Sequence, residues 1–203
     1  MNFSSQVSAF GDQAIILPFS AAVVTALLVD GRKREALIWT VGMVGVLGLM
    51  FVLKVLFIPC GHLWPALSIR SPSGHSAASV AAFGGFGVIH ARGRGLLLRT
   101  LIAAAGLLAG FAIAISRVTL DVHSYQEALL GSLIGLTVPF ALWKWRGAPQ
   151  GSESQRQFSR LALLPIFVPL LLVPLLDSPA LHVEPLIRIF AKWVLGLLNV
   201  CTH

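Results

Sequence analysis

Six apolar stretches run through this 203-residue chain, at about 13–29, 36–58, 75–91, 98–116, 126–145 and 160–176. Each approaches the ~20 residues that carry a helix across a bilayer. In lipid a backbone must satisfy its own hydrogen bonds, so such segments are helices. The expected fold is therefore all-α: one domain over 1–203, an integral membrane bundle of about six transmembrane helices. Charged residues make up only 11% of the chain, against about 25% in a soluble domain. Small residues recur inside the stretches, as at Ala77, Ala78, Ala81, Gly84 and Gly85, and again at Ala103, Ala104, Ala105, Gly106 and Gly110. They let membrane helices approach closely.

The formal charge of +7 would suggest nucleic acid in a soluble protein. Here the basic residues cluster in short loops, with little of the aromatic interleaving that stacks bases, so no nucleic-acid partner is expected. Ten of the fifteen sit in or beside loops one, three and five: Arg32, Lys33, Arg34, Arg92, Arg94, Arg99, Lys144, Arg146, Arg156 and Arg160. The positive-inside rule then puts those loops in the cytoplasm, with loops two and four and both termini outside. Residues 1–12 contain Asp12 and no Lys or Arg, so the first apolar stretch reads as a retained helix rather than a signal peptide. Loop five, about 147–159, is the one linker-like segment. After Asp177, Ile187, Phe190, Trp193, Val194 and Leu197 recur at helical spacing, which suggests an interfacial amphipathic helix over about 183–200, or a seventh partial span. Cys60 and Cys201 have no metal-ligand spacing; both fall on the outer side, where a disulfide is the less favoured reading.

Two polar islands interrupt the apolar pattern, Arg70 to His75 and Ser116 to Glu127, and each holds an arginine and a histidine. Ionisable groups at a membrane edge are costly to place and so are functional candidates. Ser73 and Gly74 before a helix start offer a hydroxyl and backbone N–H groups where phosphate binds well, with His75 in the first turn. The bland alternative is an ordinary cap and a buried histidine. His123 and Glu127 are four apart, so on a helix they share a face. A carboxylate on one imidazole nitrogen fixes the tautomer and leaves the other basic; a structural pair is the alternative. Arg117 can grip phosphate oxygens with its fork, or snorkel. Lys54, outward on the second stretch, has the same two readings.

Together these residues resemble the type-2 phosphatidic acid phosphatase superfamily of membrane lipid phosphatases. That family's signature is Lys, six spacers and Arg-Pro; then Pro-Ser-Gly-His; then Ser-Arg, five spacers, His, three spacers and Asp. Pro72-Ser73-Gly74-His75 matches the second part completely, and Ser116, Arg117 and His123 match the third at its spacing, over a signature region from Lys54 to Glu127. Gly61-His62 stands where the family has Arg-Pro, and Glu127 where it has Asp. Arg70, in the same outer loop, is a provisional replacement for the missing arginine, and His62 a weaker one.

The resemblance implies hydrolysis of a lipid phosphate or diphosphate, such as phosphatidate, phosphatidylglycerol phosphate or undecaprenyl diphosphate, at the outer membrane face. It implies His123 as nucleophile forming a phosphohistidine, Glu127 orienting it, and His75 protonating the leaving group. Lys54, Arg70, Ser73, Gly74 and Arg117 would bind the phosphoryl group. No metal or other cofactor is implied, and Asp121 and Glu127 alone are too few carboxylates for a two-metal site. The expected partners are the lipid phosphate and the surrounding lipids, and the expected location is a bacterial inner membrane. A phosphotransferase using the same site, or a non-catalytic lipid-binding protein, remains open.

Overall fold

A computed structural model describes residues 3–60, 71–145 and 164–175, with positions 187, 189, 190 and 193 beyond them. All regular structure among the described residues is helical. A short helix α1 (Phe3–Ala9) meets α2 (Gln13–Val29) at a 45° bend. Asp12 makes that corner, its carboxylate capping α2 by accepting the Ala14 N–H at 2.8 Å. Then follow α3 (Lys33–Cys60), α4 (Gly74–Ser79), α5 (Gly85–His90), α6 (Leu96–Thr119), α7 (Tyr125–Gly135), α8 (Thr137–Lys144) and α9 (Leu164–Leu175). A π-helical turn, Val80–Gly84, joins α4 to α5.

The α4–α5 rod is the axis of the bundle. Ala77, Ala78, Val80, Ala81 and Ala82 are each 0% exposed, because α3, α6, α7 and α8 all pack around it. From α3, Trp39, Met43, Val46 and Met50 turn inward at helical spacing; from α2 come Ile16, Phe19, Val23 and Leu27. The opposite face of α3 carries Leu37, Val41, Val44 and Val52, all exposed. A helix apolar on both faces is stable where its outer face meets lipid rather than water. Close approach depends on glycine where helix α6 crosses the rod. A Cβ on Gly106 would stand 2.5 Å from the Phe83 carbonyl, and one on Gly110 2.7 Å from the Val80 Cα. That bears out the expected role of the small residues.

Among the described residues, three segments can cross a membrane by length and apolarity, Lys33–Phe57, Leu96–Thr119 and Tyr125–Lys144, or four if the bent pair α1–α2 is one span. Fewer spans therefore qualify than the six expected. The other two apolar stretches are helical where described, but α4–α5 is interrupted by its π turn and α9 has only 12 residues. Where described, each of the six stretches is nonetheless mostly helix. Loop five and the pairing of Cys60 with Cys201 lie outside the described residues. So does most of the expected C-terminal helix, but Phe190 and Trp193 are helical and Phe190 packs on Phe51 of α3, ring centroids 5.8 Å apart.

The two ends of the bundle differ. At one end the α2–α3 turn and the α5–α6 turn meet: Arg32 and Arg92 both pair with the buried carboxylate of Glu35. At the other end the two polar islands meet.

Candidate active site

The second island begins where α6 stops. Asp121 adopts a left-handed backbone at φ 55°, an uncommon conformation that Asp tolerates better than most residues. The Asp121 N–H bonds the Val118 carbonyl at 3.0 Å and the Val122 N–H bonds the Arg117 carbonyl at 3.1 Å, which is a Schellman closure of the helix. The His123 N–H also reaches the Arg117 carbonyl, at 3.3 Å. The five residues between Arg117 and His123 are thus the last turn of α6 and its stop. Their number sets how a guanidinium and an imidazole from one strand of chain come to the same end.

Ser124 then starts α7 with a reciprocal cap. Its hydroxyl accepts the Glu127 N–H at 3.3 Å, and Glu127 Oε2 accepts the Ser124 N–H at 3.1 Å. The same Oε2 lies 2.9 Å from His123 Nδ1. An ionised carboxylate only accepts, so Nδ1 carries the proton and Nε2 keeps its lone pair. The His123–Glu127 pair is therefore present as expected, but not through a shared helical face: His123 lies in the turn before the cap. The signal for this route is Ser124-x-x-Glu127, a capping-box pattern legible in the sequence.

Glu127 also binds the first island. Its Oε1 accepts the Ser71 backbone N–H at 2.9 Å, and its main-chain carbonyl accepts the Ser73 N–H at 3.1 Å. One glutamate joins both islands, with its side chain 7% exposed and the His123 side chain 6%. Ser71 and Ser124 are site residues that motif reasoning missed. Gly131 allows the junction: a Cβ there would stand 2.3 Å from the Ser73 carbonyl.

Ser73 is the N-cap of α4. Its Oγ, fully enclosed, accepts the Ser76 N–H at 3.4 Å and the Ser76 hydroxyl at 2.9 Å. Gly74 and His75 follow, both half-buried. A Cβ on Gly74 would lie 3.5 Å from Cε of Lys54, so the lysine side chain of α3 runs beside the start of α4. Lys54 is only 8% exposed although it carries an ammonium near the end of an apolar helix.

The charges converge on His123. Burial lowers its pKa from the ordinary 6.5; the hydrogen bond and charge of Glu127 raise it, while Lys54 and Arg117 lower it. The net direction is down, so the ring is neutral near pH 7. The structure thus brings Lys54, Ser73, Gly74, Arg117, His123 and Glu127 to one end of the bundle, from α3, the start of α4, the end of α6 and the turn and cap that open α7, with His75 in the first turn of α4. Arg70 and His62 lie outside the described residues. Chemically, the set offers a tautomer-fixed imidazole beside two cations, a second imidazole and a helix start.

Comparison with known proteins agrees with the residues. Residues 36–150 match the PAP2 superfamily. An uncharacterized 22.5 kDa protein in the cps region of Klebsiella pneumoniae is 29% identical over 133 residues, 64% of this chain. The match spans about 62% of that relative's length. No solved structure matches the chain.

Proposed function

The chain belongs to the PAP2 superfamily, whose members are in general phosphatases acting on phosphate esters, and from that premise we propose that it hydrolyses a lipid phosphate or diphosphate at a membrane surface. The reading rests above all on Glu127, whose carboxylate holds His123 Nδ1 and the Ser71 N–H at once, each at 2.9 Å. That contact supports one site built from both islands rather than two unrelated polar edges.

In the proposed reaction Nε2 of His123 attacks phosphorus and the bond to the lipid oxygen breaks. His75 gives its proton to the leaving oxygen. It then takes a proton from water, whose oxygen attacks the phosphohistidine, and phosphate departs as His123 regains its lone pair. Phosphoryl transfer needs chiefly alignment and stabilisation of charge on the equatorial oxygens. Lys54 and Arg117 supply positive charge, Gly74 a backbone N–H, and Ser73 fixes the helix start that presents it. Arg70 is the proposed further cation. The apolar helix faces suit a substrate whose tails stay in lipid while its headgroup enters between loops two and four. We take all six apolar stretches to lie in the membrane, with the site on the outer face of a bacterial inner membrane.

The test is phosphate release from a panel of lipid phosphates and diphosphates, measured in EDTA for wild type, His123→Ala and His75→Ala. Release by wild type, lost in both variants, supports the proposal. Undiminished release by His123→Ala, or a strict need for divalent metal, contradicts it. Phosphate appearing on an added alcohol instead of in solution would make the protein a phosphotransferase.

A further inference from the structure

We propose that Ser8, on α1, is a positioning residue of the phosphate site, holding the Arg117 guanidinium for an anion without neutralising it. The inference rests on the proposed phosphate chemistry of Arg117 and extends the site to a segment that precedes the family match, which begins at residue 36.

Arg117 Nη1 donates to Ser8 Oγ at 2.7 Å, although 109 residues separate the two in the chain. Ser8 is 5% exposed. The bend after α1 is what delivers it. The Gly11 N–H returns to the Ser8 carbonyl at 3.0 Å and the Asp12 N–H to the Ala9 carbonyl at 3.0 Å, so the chain turns sharply and α1 lies against α6. The turn sits tightly on the site. A Cβ at Gly11 would stand 2.6 Å from Ile113 Cγ2 and 3.4 Å from Cδ2 of His75. The N-terminal segment therefore runs beside His75 and bonds Arg117 directly.

The chemistry of a hydroxyl suits this position. A guanidinium grips phosphate well only when its plane is fixed, because the fork geometry gives the bidentate contact. It has five N–H donors, so one given to Ser8 leaves others for oxygen acceptors. A carboxylate at position 8 would fix the plane equally but would cancel the charge that attracts the anion. A hydroxyl fixes the plane and leaves the charge.

That difference supplies the test. Binding of inorganic phosphate to the full chain in detergent would be measured by calorimetry, beside turnover of a lipid phosphate. The variants are Ser8→Ala, Ser8→Thr, Ser8→Asp, Arg117→Ala and the double variant Ser8→Ala/Arg117→Ala. Ser8→Ala is expected to weaken phosphate binding about tenfold, the scale of one hydrogen bond to a charged group. Ser8→Thr should restore it. Ser8→Asp should bind more weakly than Ser8→Thr despite keeping an acceptor, and Ser8→Ala should add nothing once Arg117 is gone. A merely structural serine predicts the reverse on both counts: Asp as good as Thr, and losses that add. Either result overturns the assignment, as does wild-type phosphate affinity in Ser8→Ala, or no phosphate binding by wild type. If Ser8→Ala fails to fold, the Asp and Thr variants still decide. His123-dependent turnover with unchanged phosphate binding in Ser8→Ala would sink only this inference. The expected binding losses in a protein that turns over no phosphate ester would sink only the proposed function.

Discussion

In the proposed reaction the imidazole of His123 must be neutral to attack phosphorus, so the direction of its pKa shift sets the pH range over which that reaction would run. Burial, the largest influence, favours the uncharged ring and moves the pKa down from 6.5. Neutral His123 then predominates above that value, and its fraction falls as pH drops through the lowered pKa. We expect kcat/KM to rise to its plateau through an acid limb with a midpoint under the free-imidazole value of about 6.5. A midpoint above that would mean that Glu127 outweighs burial. Glu127→Gln separates the two roles of the carboxylate. Its charge and hydrogen bond raise the His123 pKa, so removing the charge should shift the acid limb to lower pH. Loss of the fixed tautomer should at the same time lower the plateau by about 100-fold. A steady-state pH profile of the two proteins checks both. A glutamine variant with an unchanged plateau would show that orientation of His123 is not needed.

At the scale of elements, each end of the bundle depends on how a helix stops or starts. Asp121 closes α6 at φ 55°, a conformation that glycine adopts freely and a β-branched residue resists. Asp121→Gly should therefore keep or slightly raise the thermal midpoint, and Asp121→Val should cost about 1–2 kcal/mol and misplace His123. Equal midpoints for the two variants would show the turn to be slack. At α7, Gly131→Ala places a methyl 2.3 Å from the Ser73 carbonyl. It must push α7 away from α4, with a stability loss of about 1–3 kcal/mol and lower turnover. At the opposite end Glu35 is 4% exposed between Arg32 and Arg92. Removing a partner from a buried ion cluster costs about 3 kcal/mol, so Glu35→Gln should lower stability measured by unfolding in detergent while kcat of the folded fraction stays near wild type. These examples also mark what was legible beforehand. The positions of the helices could be read because apolar runs and polar breaks have the period and length that lipid imposes. The His–Glu spacing could be read too, but its cause was the Ser124 capping box, not a helical face. The Ser8–Arg117 bond and the Glu35 cluster could not be read, since each joins residues that only tertiary packing brings together.

For the molecule as a whole, the ion cluster at one end gathers loops one and three, and Glu127 at the other gathers loops two and four. That alternation is what chain crossings of a single layer produce, and it agrees with the basic residues clustering in the odd loops. In a background with Cys60 and Cys201 replaced by serine, an impermeant thiol reagent should label Tyr125→Cys, whose site is 77% exposed, in intact cells. Arg94→Cys should react only after permeabilisation, and the opposite pattern would place the site in the cytoplasm. The number of spans was the weakest part of the sequence reading. The 74–90 rod is shielded by its neighbours, so apolarity there reports burial in protein as much as contact with lipid. The central claim is that both islands form one phosphate site in which His123 carries the phosphoryl group. It is tested most directly by mixing the protein with a phosphorus-labelled lipid phosphate, quenching in alkali within one turnover, and mapping the label by mass spectrometry. We predict label on His123, acid-labile and absent from His123→Ala. Label on another residue, or full turnover with His123 removed, would contradict the account.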